Sequence, residues 1–155
     1  NDTLRDRLDF DQAATLIRAA EKGRENKEGA DFTIVSIHWG VEYNQTPTQK
    51  QVENAHKLVD AGADIILGHH PHVIQSHEWY TGPDGPRPIY YSLGNFIFDQ
   101  YFSKAVQEGL GLTLTLQKST DPKLPDTITV KETVFDIMRS QVKPRPPSPS
   151  PNPGA

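Results

Sequence analysis

Cysteine is absent from the chain, which excludes a disulfide framework, a thiolate metal site and a cysteine nucleophile. Long apolar runs are absent too: nothing approaches the roughly 18 residues a spanning helix needs, so no membrane span is expected. No charged-then-apolar leader opens the sequence. No Gly-rich phosphate loop, Gly-x-Ser-x-Gly elbow or dinucleotide fingerprint occurs. Positive charge is not in excess, with 16 basic against 20 acidic residues and a net charge of −4. Nucleic acid is therefore not an expected partner. Methionine occurs once, at Met138. The opening residues, Asn1 to Arg7, read like the interior of something longer, and a fragment is expected.

What the chain does hold is histidine in one place. Gly68-His69-His70-Pro71-His72 follows the apolar run Ile65-Ile66-Leu67. Three imidazoles in four residues suit a metal better than a core, and imidazole serves zinc, iron and, beside carboxylates, manganese. Pro71 biases His70 towards extended backbone, which would point His70 and His72 to one side and His69 elsewhere. The plainer alternative is a histidine-rich surface loop.

The 155 residues suffice for one domain with a real core. Apolar spacing predicts a helix from Phe10 to about Lys22, with Asp9 as cap. Phe32 to Ile37 reads as a strand running into His38-Trp39-Gly40-Val41-Glu42. Thr46-Pro47-Thr48-Gln49 resembles a capping box for a helix that Gly62 stops, and a second strand covers Asp64 to Leu67. Strand, helix, strand with short links implies a parallel crossover unit. Val73 to Tyr80 and Pro88 to Leu93 read as a hairpin with a five- or six-residue loop. Leu110 to Leu116 and Thr127 to Met138 follow as further strands. Six of the thirteen prolines lie after Val142, so the expected domain is 1–140, with a Pro-rich linker or tail over 141–155.

His38 and the 69–72 cluster both follow strands. Parallel sheets bind ligands beyond the carboxyl ends of their strands, so His38 is expected within reach of His70 and His72. Glu42 could be a ligand, a general acid/base or an orienter of an imidazole. Asn95 could be an amide ligand, a substrate donor or only a turn residue. Asp99 has a weaker claim, and Trp39 could wall the site or fill the core. His56 and His77 fall in regular elements and read as structural or exposed.

Three ordered motifs, Ser36-Ile37-His38-Trp39-Gly40-Val41-Glu42-Tyr43, Gly68-His69-His70-Pro71-His72-Val73-Ile74-Gln75 and Tyr91-Ser92-Leu93-Gly94-Asn95-Phe96-Ile97-Phe98-Asp99, resemble the bacterial capsule-synthesis CapA family. Its relatives include the PgsA-type proteins of poly-γ-glutamate production. The resemblance implies an α/β fold of the calcineurin-like metallophosphoesterase kind, an αββα sandwich. Only its C-terminal portion is expected here: a βαβ unit followed by a hairpin and antiparallel strands.

It also implies a two-metal centre of manganese, iron or zinc, with His38, His70 and His72 as ligands; in an enzyme, Glu42 or His69 would then handle protons, and the reading of the residues puts Asn95 and Trp39 near substrate. The Gly-Asp, Asn-Leu-Glu and Asn-Asn-His segments of the family's N-terminal half do not occur in this sequence, so half a site is expected. The implied role is in capsule or poly-γ-glutamate biosynthesis. The substrate would be a phosphoester or an anionic polymer, and the setting the cell envelope, with a membrane anchor in a segment not in this chain. The alternative is a non-catalytic accessory module of an envelope polymer synthase or exporter, or a degenerate domain that binds no metal.

Overall fold

The computed structural model describes residues 9–25, 29–121 and 126–137. The Pro-rich stretch 141–155 and Met138 lie outside the described residues. Helix α1 spans Phe10–Glu25, and Asp9 caps it by accepting the amides of Asp11 and Gln12 on Oδ1 at 3.1 and 2.9 Å. Strand β1 is Ile34–His38, helix α2 Gln49–Asp60 and strand β2 Ile65–His69. The helix start differs from expectation by one capping frame. Thr48, not Thr46, is the cap, and Gln51 completes the box from the third position. Strands β3 (His77–Gly82) and β4 (Gly85–Tyr90) form the hairpin. Its loop is shorter than expected, because Gly82 and Gly85 already pair across the turn. A 3₁₀ turn at Lys104–Gln107 leads into β5 (Glu108–Gln117), which pairs antiparallel with β6 (Thr127–Asp136).

The main sheet runs in the order β1-β2-β4-β3. β1, β2 and β4 are parallel and β3 is antiparallel to β4. Alternation along the strands separates the two faces. Ile37, Ile66 and Ile89 pack with Trp39 and Tyr91 against Ala14 and Ile17 of α1 and Ala55, Leu58 and Val59 of α2. On the opposite face, Tyr90 and His77 meet the β5–β6 hairpin, where Glu132 accepts the Tyr90 hydroxyl at 2.7 Å and lies 3.4 Å from His77. Helices, sheet and hairpin make the mixed α/β arrangement that fits part of a metallophosphoesterase-like fold.

One buried ion pair squares the far end of the sheet. Arg87 Nε lies 3.3 Å from Asp64 Oδ1, and the other carboxylate oxygen accepts the Thr33 amide at 2.7 Å. It ties the starts of β1, β2 and β4 together, which leaves their carboxyl ends to diverge into loops.

Candidate metal centre

The β1–β2 register sets His38 directly opposite His69, so both strands end at the same level. Beyond that level, backbone bonds join the loops. The Trp39 amide donates to the His69 carbonyl at 3.0 Å, Tyr43 to Pro71 at 2.7 Å, and Leu93 to Gly68 at 3.2 Å. Side chains add to this. Gln75 Nε2 donates to the Asn44 carbonyl at 2.7 Å, and the amide of Gln51 donates to Gln75 Oε1 at 3.2 Å. Both glutamines are buried, so a satisfied polar pair fixes the first loop on the second.

Within this frame Glu42, His70 and His72 converge, each presenting one ligand atom, all within 4.8 Å of one another. The His38 ring packs on His70 at 4.6 Å between centroids, and His70 lies 6.2 Å from His72. Glu42 is exposed and the two imidazoles are half-buried, so the cluster opens to solvent on the carboxylate side. Two imidazoles and a carboxylate form a donor set suited to zinc, iron or manganese, with coordination positions left over.

The backbone there is not the extended one Pro71 was expected to impose. His70 has φ 104° and His72 φ 60°, and Tyr43 above them has φ 62°. These are the three non-glycine residues at positive φ among the described residues, and all belong to this site. Bonds between the loops, above all Tyr43 to Pro71, override the local preference. Such angles cost on the order of 1–2 kcal/mol per residue.

The other expected residues are not part of the Glu42, His70 and His72 convergence. His69 turns towards Ser36, with Nε2 3.1 Å from the hydroxyl; burial, then the neighbouring His38, pushes its pKa down. Trp39 packs as a core residue. It is 7% exposed, in the helix-side core, and its indole N–H donates to the Tyr91 carbonyl at 2.9 Å. Asn95 is also buried, 5% exposed, and its Oδ1 lies 2.8 Å from His72 Nδ1. It touches the cluster from behind rather than from the solvent side. Asp99 interacts with the Tyr101 hydroxyl.

Tyr43 and Phe98 were not anticipated. Their rings lie 6.0 and 4.6 Å from His72, and Gln100 Nε2 donates to the Tyr43 hydroxyl at 2.9 Å. The available signal was their position, Tyr43 just after Glu42 and Phe98 in the apolar run Phe96-Ile97-Phe98 that follows Asn95; that run is exposed in the structure.

The model of the family described as bacterial capsule synthesis protein PGA_cap matches residues 2–100. The chain belongs to this family. It is 45% identical over 96 residues to a capsule biosynthesis protein CapA of Bacillus anthracis, covering 61% of this chain and 22% of the relative. It is 46% identical over 86 residues to a PGA biosynthesis protein CapA of Bacillus subtilis (strain 168), covering 56% and 22%. A probable polyglutamine synthesis accessory protein of Mycobacterium tuberculosis (strain CDC 1551 / Oshkosh) is 30% identical over 126 residues, 76% of this chain and 30% of the relative. The chain thus spans about a fifth of the length of the first two relatives. Among the described residues no helix is long and apolar enough to cross a membrane.

Proposed function

We propose that this chain supplies the histidine-rich part of a divalent-metal centre in a capsule or poly-γ-glutamate biosynthesis protein. The observation that carries the reading is the convergence of Glu42, His70 and His72 within 4.8 Å, on a backbone held at unfavourable angles. Glu42, His70 and His72 would hold one ion, of manganese, iron or zinc, with His38 beside them as the next donor. A second ion would need carboxylate ligands from outside this chain. When bound, a divalent ion supplies Lewis acidity towards a phosphoryl or amide carbonyl oxygen. Glu42 sits on the open side and acts as an anionic ligand. His69, turned to Ser36, is left as a neighbour that can hold a proton. The complete centre would be that of a metal-dependent hydrolase acting on a phosphoester or on the anionic polymer at the cell envelope.

The second reading is an accessory module of a polymer synthase or exporter, in which the ion serves structure or polymer binding. The mycobacterial relative, a probable polyglutamine synthesis accessory protein, favours it.

Calorimetric titration of the chain with Mn²⁺ and Zn²⁺ tests the centre. The wild type is expected to bind one ion, and the paired His70→Ala and His72→Ala substitutions to weaken it by about 100-fold or more, beyond the 10–100-fold that loss of supporting groups causes. Equal binding by both proteins would overturn the reading. The isolated chain is expected to show little or no phosphodiesterase or γ-glutamyl hydrolase activity. Robust turnover would refute the half-site. If the substitutions abolish binding in the full-length protein yet polymer formation persists, the accessory reading replaces the catalytic one.

A further inference from the structure

The Asn95 amide is fixed from two sides. Its Nδ2 donates to the Val106 carbonyl at 2.8 Å, and a carbonyl has no proton to offer. Oδ1 must therefore be the atom that faces His72 Nδ1, 2.8 Å away. An amide oxygen only accepts, so the proton of that bond belongs to Nδ1. A neutral imidazole with Nδ1 protonated has its lone pair on Nε2.

The support for Asn95 is itself rigid. Val106 is fully buried, on the 3₁₀ turn Lys104–Gln107. Gly94, at φ 72°, forms an isolated bridge with Gly109, and a Cβ at Gly109 would lie 2.0 Å from the Asn95 carbonyl. The chain can pass that closely only because position 109 is glycine.

We infer that Asn95 is a positioning residue that holds His72 in the Nδ1–H tautomer and so assigns Nε2 as the atom His72 offers to a cation beside Glu42 and His70. The inference rests on the metal-centre reading above. The 3₁₀ turn gains a purpose by it, since it presents the carbonyl that orients the orienter. Phe98 and Tyr43, which pack on the same imidazole, limit its rotation.

Long-range ¹H–¹⁵N spectra of the metal-free wild-type chain at pH 8 decide the tautomer without any substitution. Nδ1–H with a bare Nε2 is expected at His72, and Nε2–H with a bare Nδ1 would overturn the inference. Asn95→Ala is then expected to mix the tautomers and weaken Zn²⁺ binding 10–100-fold, the range for loss of a ligand's orienting partner. Asn95→Asp keeps an acceptor and is expected to keep the tautomer. Unchanged tautomer and Zn²⁺ affinity in a folded Asn95→Ala chain would overturn the positioning role. A wild type that shows Nδ1–H but takes up no Zn²⁺ would sink the metal reading while leaving the tautomer assignment intact. Zn²⁺ binding with an Nε2–H imidazole would do the reverse.

Discussion

His56 and His77 sit in regular elements, α2 and β3, and each is engaged by a neighbouring carboxylate and a tyrosine ring. His56 Nε2 lies 2.8 Å from Glu78 Oε1 and its ring stacks on Tyr80 at 3.9 Å. His77 lies 3.4 Å from Glu132 and stacks on Tyr90 at 5.0 Å. His70 and His72 sit instead in a loop, both at positive φ, and converge on Glu42. Both regions join imidazole to carboxylate, but only the loop does so on a strained backbone. An imidazole in a helix or strand with one partner knits two elements together. Two imidazoles held at costly angles towards a shared carboxylate lower stability for the sake of an arrangement, and strain of that sort concentrates at functional sites.

Exchanging the carboxylates should separate the regions most strongly. Glu42→Gln is expected to lower Zn²⁺ affinity by at least about tenfold, the lower end of what perturbing a metal site's surroundings does, with the metal-free melting temperature unchanged. Glu78→Gln should do the opposite. It loses charge-assisted bonds from His56 and Tyr91, partly exposed, and should cost about 1 kcal/mol by chemical denaturation with affinity within about twofold by the same reasoning. If Glu78→Gln impaired metal binding as much as Glu42→Gln, the contrast would collapse.

Acid should separate the regions next. Imidazole must be neutral to ligate, so metal affinity is expected to fall as pH drops through about 6.5. Affinity that stays flat between about pH 8 and 5 would rule out histidine ligation on the same ground. Burial pushes the Glu78 carboxyl up, but the bonds from Tyr91 and His56 together outweigh it and leave its pKa below the ordinary 4.5. A carboxyl whose pKa is lower folded than unfolded contributes stability that is present above the unfolded value and lost as pH falls through the folded one. Wild-type stability should therefore lose this contribution only below about pH 4.5, and Glu78→Gln should lack that part of the acid limb. A limb identical in both proteins would remove Glu78 from the account.

The smallest effect concerns the strain. His70→Gly should leave metal-free stability unchanged or higher by up to about 1 kcal/mol, since glycine accepts φ > 0 freely. His77→Gly, at the first residue of β3, should lose about 0.5–1 kcal/mol or more. Denaturant curves without metal measure both, and a clear loss at His70 would make it a packing residue.

Much of this contrast was legible in the residues. β-Branched runs, Gly62 and the Gly/Pro turn located the strands and the hairpin, and parallel topology brought His38 to His70. The cap slipped because Thr46 and Thr48 each begin a Thr-x-x-Gln pattern; contacts of Gln51 with Gln75 and beneath Gly40 select the second. The positive φ values were not legible, because they arise from hydrogen bonds between loops distant in sequence. Trp39 carried a usable signal: Val35, Ile37 and Trp39 continue one alternation, and the buried face simply extends past the end of β1. Asn95 could not be placed, since its role depends on a carbonyl eleven residues later.

Gly68 opens the histidine motif, and its part is measured in thickness. A Cβ there would lie 2.0 Å from the Tyr91 carbonyl and 2.6 Å from the Trp39 indole nitrogen that bonds it. The residue works as a spacer of minimum width between the chain segments leading to Glu42 and to Asn95. One methyl would act as a wedge, spreading the front and back of the cluster at once. Fold and the proposed cation site meet at that position, and a library that diversifies the loop for new metals has to leave it as hydrogen.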